Sequence, residues 1–76
     1  MKWFTTVFLP SLEERYKSRG KLWLTAKQTD VCDRYMEPGT LRGQRRLKVG
    51  DKTYCIQIAP NGCANFYIMN AEGWQI

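Results

Sequence analysis

Asp30, Asp33 and Glu37 recur at spacings of three and four residues, so on a helix they share a face and could coordinate a divalent cation. Lys27 and Arg34 interleave with them, and no other carboxylate is expected to approach that face. Ordinary ion pairs on a solvated helix are the simpler reading. The candidate nucleophiles are Cys32, Cys55 and Cys63, but the chain has three Cys and no His. A thiol would lack its usual base, and a structural zinc site would lack its four donors. Asp51 beside Lys52 could act as an acid and lysine pair, yet Asp51 occupies a turn position that favours Asp on conformational grounds. No glycine sits in a run shaped to cradle phosphate. The expectation is a protein that is not an enzyme and uses neither metal nor cofactor.

Cations remain as the chemistry-bearing groups. Arg42, Arg45, Arg46, Lys48 and Lys52 crowd one stretch against the single Asp51, within a formal net charge of +5. Arg15, Lys17, Arg19 and Lys21 form a second cluster. Such patches attract polyanions or acidic protein surfaces. The competing reading is decoration of edge strands and helix ends for solubility.

Three turns dictate how these residues are displayed. Gly50-Asp51 reads as a two-residue turn with glycine first, placing Leu47 opposite Tyr54 and Val49 opposite Lys52. Pro60-Asn61-Gly62 reads as a three-residue loop, pairing Tyr54 with Ile68, Ile56 with Phe66 and Ile58 with Ala64. Ala71-Glu72-Gly73 is a second such loop and returns Trp74 and Ile76 to the face of Ile68. One face then carries Leu47, Val49, Tyr54, Ile56, Ile58, Ala64, Phe66, Ile68, Trp74 and Ile76, which is a core. The other carries three cross-strand rows: Gln44, Gln57 and Asn65; Arg46, Cys55 and Tyr67; Lys48, Thr53 and Met69. Cys55 and Cys63 face outward there, where Arg46 could lower a thiol pKa.

Two helices must cover the apolar face. Phe4, Phe8, Leu12 and Tyr16 recur every four residues, which favours a helix over about residues 3 to 18 bent at Pro10. Thr5-Thr6-Val7 favour instead a strand from Lys2 to Leu9 followed by a short helix. Of the two, the spacing favours the helix. Ser11 and Glu14 have the capping-box pattern, as do Thr25 and Gln28, the latter opening a helix through about Met36. Gly20 is a stop signal. Leu22-Trp23-Leu24 reads as an extended connector, and Glu37 to Gly43 as the only linker. The expected fold is α+β, two amino-terminal helices packed on one face of a three- to four-stranded antiparallel meander, forming a single domain over residues 1–76.

A chain of 76 residues has room for one core and no enclosed chamber. Its hydrophobic fraction of 43% is too high for disorder. The amino terminus is too short and too polar for a signal peptide or a membrane span, and the odd cysteine count suits a reducing cytoplasm.

Phe8-Leu9-Pro10-Ser11-Leu12 and the segment from Leu24 to Tyr35 resemble small uncharacterised proteins carried by bacterial phages and integrative elements. The resemblance spans roughly half the chain and includes no functional motif. It implies an accessory protein, a class that includes anti-CRISPR and other anti-defence inhibitors. Together with the basic sheet face, it leads to the expectation of a cytoplasmic binding protein that modulates a nucleic-acid-processing or defence complex. The partner would be a protein or a protein–nucleic-acid complex. Direct binding of DNA or RNA is the alternative, and homodimerisation through the outer face a second one. The residues expected to bind are Arg42, Arg45, Arg46, Lys48, Lys52, Gln57, Asn65 and Tyr67.

Overall fold

The four-residue apolar spacing of the amino terminus forms one continuous helix in the computed structural model, which describes residues 2–76. A π-helical segment, Phe4–Phe8, runs directly into helix α1, Leu9–Arg19. The wide turn falls where Pro10 would otherwise disturb the ladder, and the Leu9 N–H donates to the Phe4 carbonyl five residues back. A proline has no N–H for the ladder and its ring crowds the preceding turn, so a local i to i+5 register accommodates it without a break. The strand alternative for Lys2 to Leu9 is thereby excluded. Ser11 is not an N-cap: it lies inside the helix, and its hydroxyl donates to the Phe8 carbonyl at 2.7 Å. The helix ends at Gly20, whose φ of 76° admits the left-handed cap and whose N–H donates to Tyr16.

Helix α2, Ala26–Tyr35, begins as its sequence requires. The Gln28 N–H donates to the Thr25 hydroxyl at 3.1 Å, and the Thr25 N–H donates to the Gln28 side-chain oxygen at 3.0 Å. This reciprocal pair satisfies two otherwise orphaned donors.

Among the described residues the sheet is wholly antiparallel and has five strands: β1 (Leu22–Trp23), β2 (Glu37–Pro38), β3 (Gln44–Val49), β4 (Lys52–Ile58) and β5 (Cys63–Met69), in the order β1-β5-β4-β3-β2. Its central registers are those set by the turns, with Leu47 opposite Tyr54, Ile56 opposite Phe66 and Ile58 opposite Ala64. Gly62, at φ 92°, closes the second turn, and its carbonyl accepts from the Leu24 N–H at 2.8 Å. A Cβ there would press on the Leu24 carbonyl oxygen at 2.6 Å, so the turn and the exit from β1 are held together only by glycine.

The expected connector and linker each supply an edge strand. Leu22 and Trp23 pair with Ala64 and Cys63, and Glu37 and Pro38 pair with Arg46 and Arg45. Pro38 is tolerated because it sits on an edge. The anticipated fourth strand shrinks to one bridge, Met69 to Gln75, with the Ile76 N–H donating to the Ile68 carbonyl. Trp74 and Ile76 do return to the side of Ile68, but they are 73% and 65% exposed and form no part of the core. The segment lies at the sheet margin, beyond the residues that pack on the helices.

Phe4, Phe8, Leu9 and Leu12 from the first helix, Cys32 and Met36 from the α2 region, and Ile56, Ile58, Ala64 and Phe66 from the sheet form one buried cluster with Leu22 and Leu24. Both helices therefore lie on one side of the sheet. The opposite side carries no helix among the described residues. Among the described residues no helix is long and apolar enough to cross a membrane.

Candidate binding face

Strand alternation puts Gln44, Arg46 and Lys48 of β3 on the side away from the helices, in register with Gln57, Cys55 and Thr53 of β4. Asn65, Tyr67 and Met69 of β5 complete the three rows. Arg46, Lys48 and Asn65 are exposed. Among the described residues the ion pairs are Lys17 with Glu13 and Arg45 with Asp33, so Arg46 and Lys48 have no carboxylate partner. Glu37 stands opposite Arg46 on the edge strand without closing an ion pair.

Two of the anticipated cations lie elsewhere. Arg45 is paired with Ile56, on the helix side. Its Nε donates to Asp33 of α2 at 2.5 Å, and a terminal nitrogen donates to the Gly43 carbonyl at 2.5 Å. Lys52 stands opposite Val49 and belongs to the same side. Both placements follow from the period of two along a strand, which the crowding of positive charge in the sequence conceals. Arg42 lies in the loop before β3, where its carbonyl accepts from Gln57 Nε2 at 3.2 Å. The structure thus brings together Arg46, Lys48, Gln57, Asn65 and Tyr67, with Arg42 at one end. It separates Arg45 and Lys52 from them.

The middle of this face is more closely built than a row of solvated side chains. Gln44 is 7% exposed. Its Oε1 accepts from the Leu41 N–H at 3.2 Å, and its Nε2 donates to the Tyr67 hydroxyl oxygen at 2.5 Å. Strands β3 and β5 are two spacings apart, roughly 10 Å. The Tyr67 side chain must therefore lie across β4 to reach Gln44, and it is only half exposed. Cys55, on the β4 strand it crosses, is fully buried, with its Sγ 3.9 Å from Met69 Sδ. The expectation of an outward thiol activated by Arg46 fails at this point. Burial raises the Cys55 pKa above its ordinary value, outweighing the Tyr67 hydrogen bond and the Arg46 charge, which both lower it. Cys63 remains the partly accessible thiol.

A second aromatic, absent from the sequence-based rows, stands on this side. Leu22 pairs with Ala64 and is buried, so its neighbour Trp23, opposite Cys63, faces outward and is 51% exposed. Lys21 Nζ stands 6.0 Å from the centre of its ring. The buried-exposed-buried alternation of Leu22, Trp23 and Leu24 carries the signal. It is obscured in the sequence because all three residues are apolar.

Two recesses flank the rows. An open cleft of about 820 Å³ lies at the end of the sheet, lined by Arg42, Gln57, Asn61, Asn65 and the start of α2, including Asp30. A smaller one of about 260 Å³ is bordered by Arg46, Lys48, Thr53 and Met69. Among the described residues no group of three or more His, Cys, Asp or Glu is placed to hold a metal ion. The arrangement offers unpaired cations, side-chain amides and a half-open indole on a single surface, which are groups for binding. No protein-family model matches this chain, and comparison with curated proteins and with solved structures found no match either.

Proposed function

We propose that this chain is a small non-enzymatic binding protein that attaches through the outer face of its sheet to nucleic acid, either free or held within a nucleic-acid-processing complex. The observation that carries the reading is the pair Arg46 and Lys48, exposed on the uncovered side of the sheet without carboxylate partners among the described residues. Cations held unpaired on one surface favour a polyanion, whose phosphates supply the missing counter-charge. The amides of Gln57 and Asn65 can meet base edges or backbone. The same surface suits the accessory role implied by the resemblance to phage and mobile-element proteins, in which a small basic chain joins a defence or processing complex through its nucleic acid.

The direct test is a titration of isotopically labelled protein with a short oligonucleotide, followed by amide chemical shifts. Shifts concentrated at Arg46, Lys48, Gln57, Asn65 and Tyr67 are expected. Shifts confined to α1 and α2, or none at millimolar oligonucleotide, would overturn the reading.

A further inference from the structure

Trp23 is an expensive residue to leave half in water, since an indole buries more apolar area than almost any other side chain. The other exposed tryptophans have different surroundings. Trp3 packs against Phe8 and Tyr35, with ring centres 5.3 and 6.5 Å away. Trp74 lies at the sheet margin, next to Glu72 and Gly73 in the chain. Of the three, Trp23 belongs to the outer face, and a cation accompanies its ring. Lys21 Nζ stands 6.0 Å from its ring centre, while Arg15 of α1 holds the backbone of the same residue by donating to its carbonyl at 3.5 Å.

We infer that Trp23 is a base-stacking platform for single-stranded nucleic acid, with Lys21 beside it to meet a flanking phosphate. This rests on the reading of the outer face as a nucleic-acid surface and names the form of nucleic acid it takes. From Trp23 on β1 the track passes Asn65 on β5 and Gln57 on β4 and reaches Arg42, in the loop before β3. Trp23 stands opposite Cys63, so the track steps two residues along β5 to Asn65, roughly 7 Å, as it crosses the three strand spacings of roughly 14 Å. A flat ring, then amides able to pair with base edges, then a cation is the order a single strand can use. A duplex keeps its base faces stacked internally and cannot use the ring. An acidic peptide could satisfy the cations but would leave the indole without a planar partner.

The test uses a labelled oligothymidylate of about a dozen nucleotides, within the usual span of such sites, and an abasic strand of the same length and charge. Wild type is expected to bind the oligothymidylate at least about tenfold more tightly than the abasic strand. W23A is expected to lose that preference, W23F to keep most of it, and W74A to match wild type. Equal affinity of the wild type for both strands, with R46A/K48A weakening each, would overturn the stacking site while leaving the phosphate-binding face intact. Absence of binding to either strand would overturn both readings and leave a protein surface as the partner. The two strands compared on unaltered protein test for base stacking whether or not a variant folds, and a W23A protein that melts as wild type does yet keeps the preference would overturn its assignment to Trp23.

Discussion

The Tyr67 hydroxyl accepts a hydrogen bond of 2.5 Å from the buried Gln44 amide, joining the two strands that flank β4 across the outer face of the sheet. This one hydrogen bond closes the middle of the face and leaves binding groups to either side of it. Tyr67 is thus a strut as well as a surface residue.

Replacing Tyr67 with Phe removes the hydroxyl while keeping the ring. Gln44 Nε2 would then be buried without its partner, and such an orphan costs about 1–3 kcal/mol. Chemical denaturation should report a loss in that range. A change below about 0.5 kcal/mol would mean that water replaces the hydroxyl freely and that the strut contributes little.

The two capping-box sequences provide a matched pair. Thr25→Ala should cost about 0.5–2 kcal/mol, because it removes an N-cap acceptor that the structure shows in use. Ser11→Ala should be close to neutral, because Ser11 lies within a continuous helix and alanine is the better helix former. Thermal melts of the two variants side by side would check this, and the reverse ranking would place the helix start at Ser11 after all.

That pair also shows what is legible in the sequence. The Thr25 box stands before a helix with nothing helical ahead of it, whereas the apolar spacing of Phe4, Phe8, Leu12 and Tyr16 runs straight through the Ser11 box. Where local and periodic signals disagree, periodicity prevails, and the π-helical turn that reconciles Pro10 with it leaves no sequence mark. The central sheet registers are readable because each depends on a short turn with glycine at a determined position. The edge strands are not, since two residues are too few to show alternation. In the candidate site, the exposed pair Arg46 and Lys48 follows from alternation. The Gln44–Tyr67 hydrogen bond does not, because it depends on one side chain lying over a neighbouring strand.

Thiol chemistry follows from burial. Cys32 is fully buried, and desolvation pushes its pKa from 9.0 up to about 11, against the lowering effect of Arg45 and with a small raising effect of Asp33. Below pH 9 both folded and unfolded chains keep this proton, so its effect is fully present there. Between about 9 and 11 the unfolded thiol ionises first, so stability falls as pH rises through that window. The slope should be shallower in C32A, measured by denaturation across the same range. An identical alkaline slope in the two proteins would remove Cys32 as its source. At neutral pH, a thiol reagent should modify Cys63 well before Cys32 or Cys55.

The central claim, that the outer face and not merely the net charge engages nucleic acid, is tested most directly by the salt dependence of oligonucleotide affinity in two variants of related composition. R46A/K48A removes two cations from the outer face, and R45A/K52A removes two from the helix side. In a plot of log affinity against log salt, R46A/K48A should lower the slope by about 1.4, at roughly 0.7 for each single-strand phosphate deprived of its cation, and R45A/K52A should leave it near the wild-type value. Equal slopes in both variants, or a larger reduction in R45A/K52A, would contradict the assignment of the binding surface to the outer face.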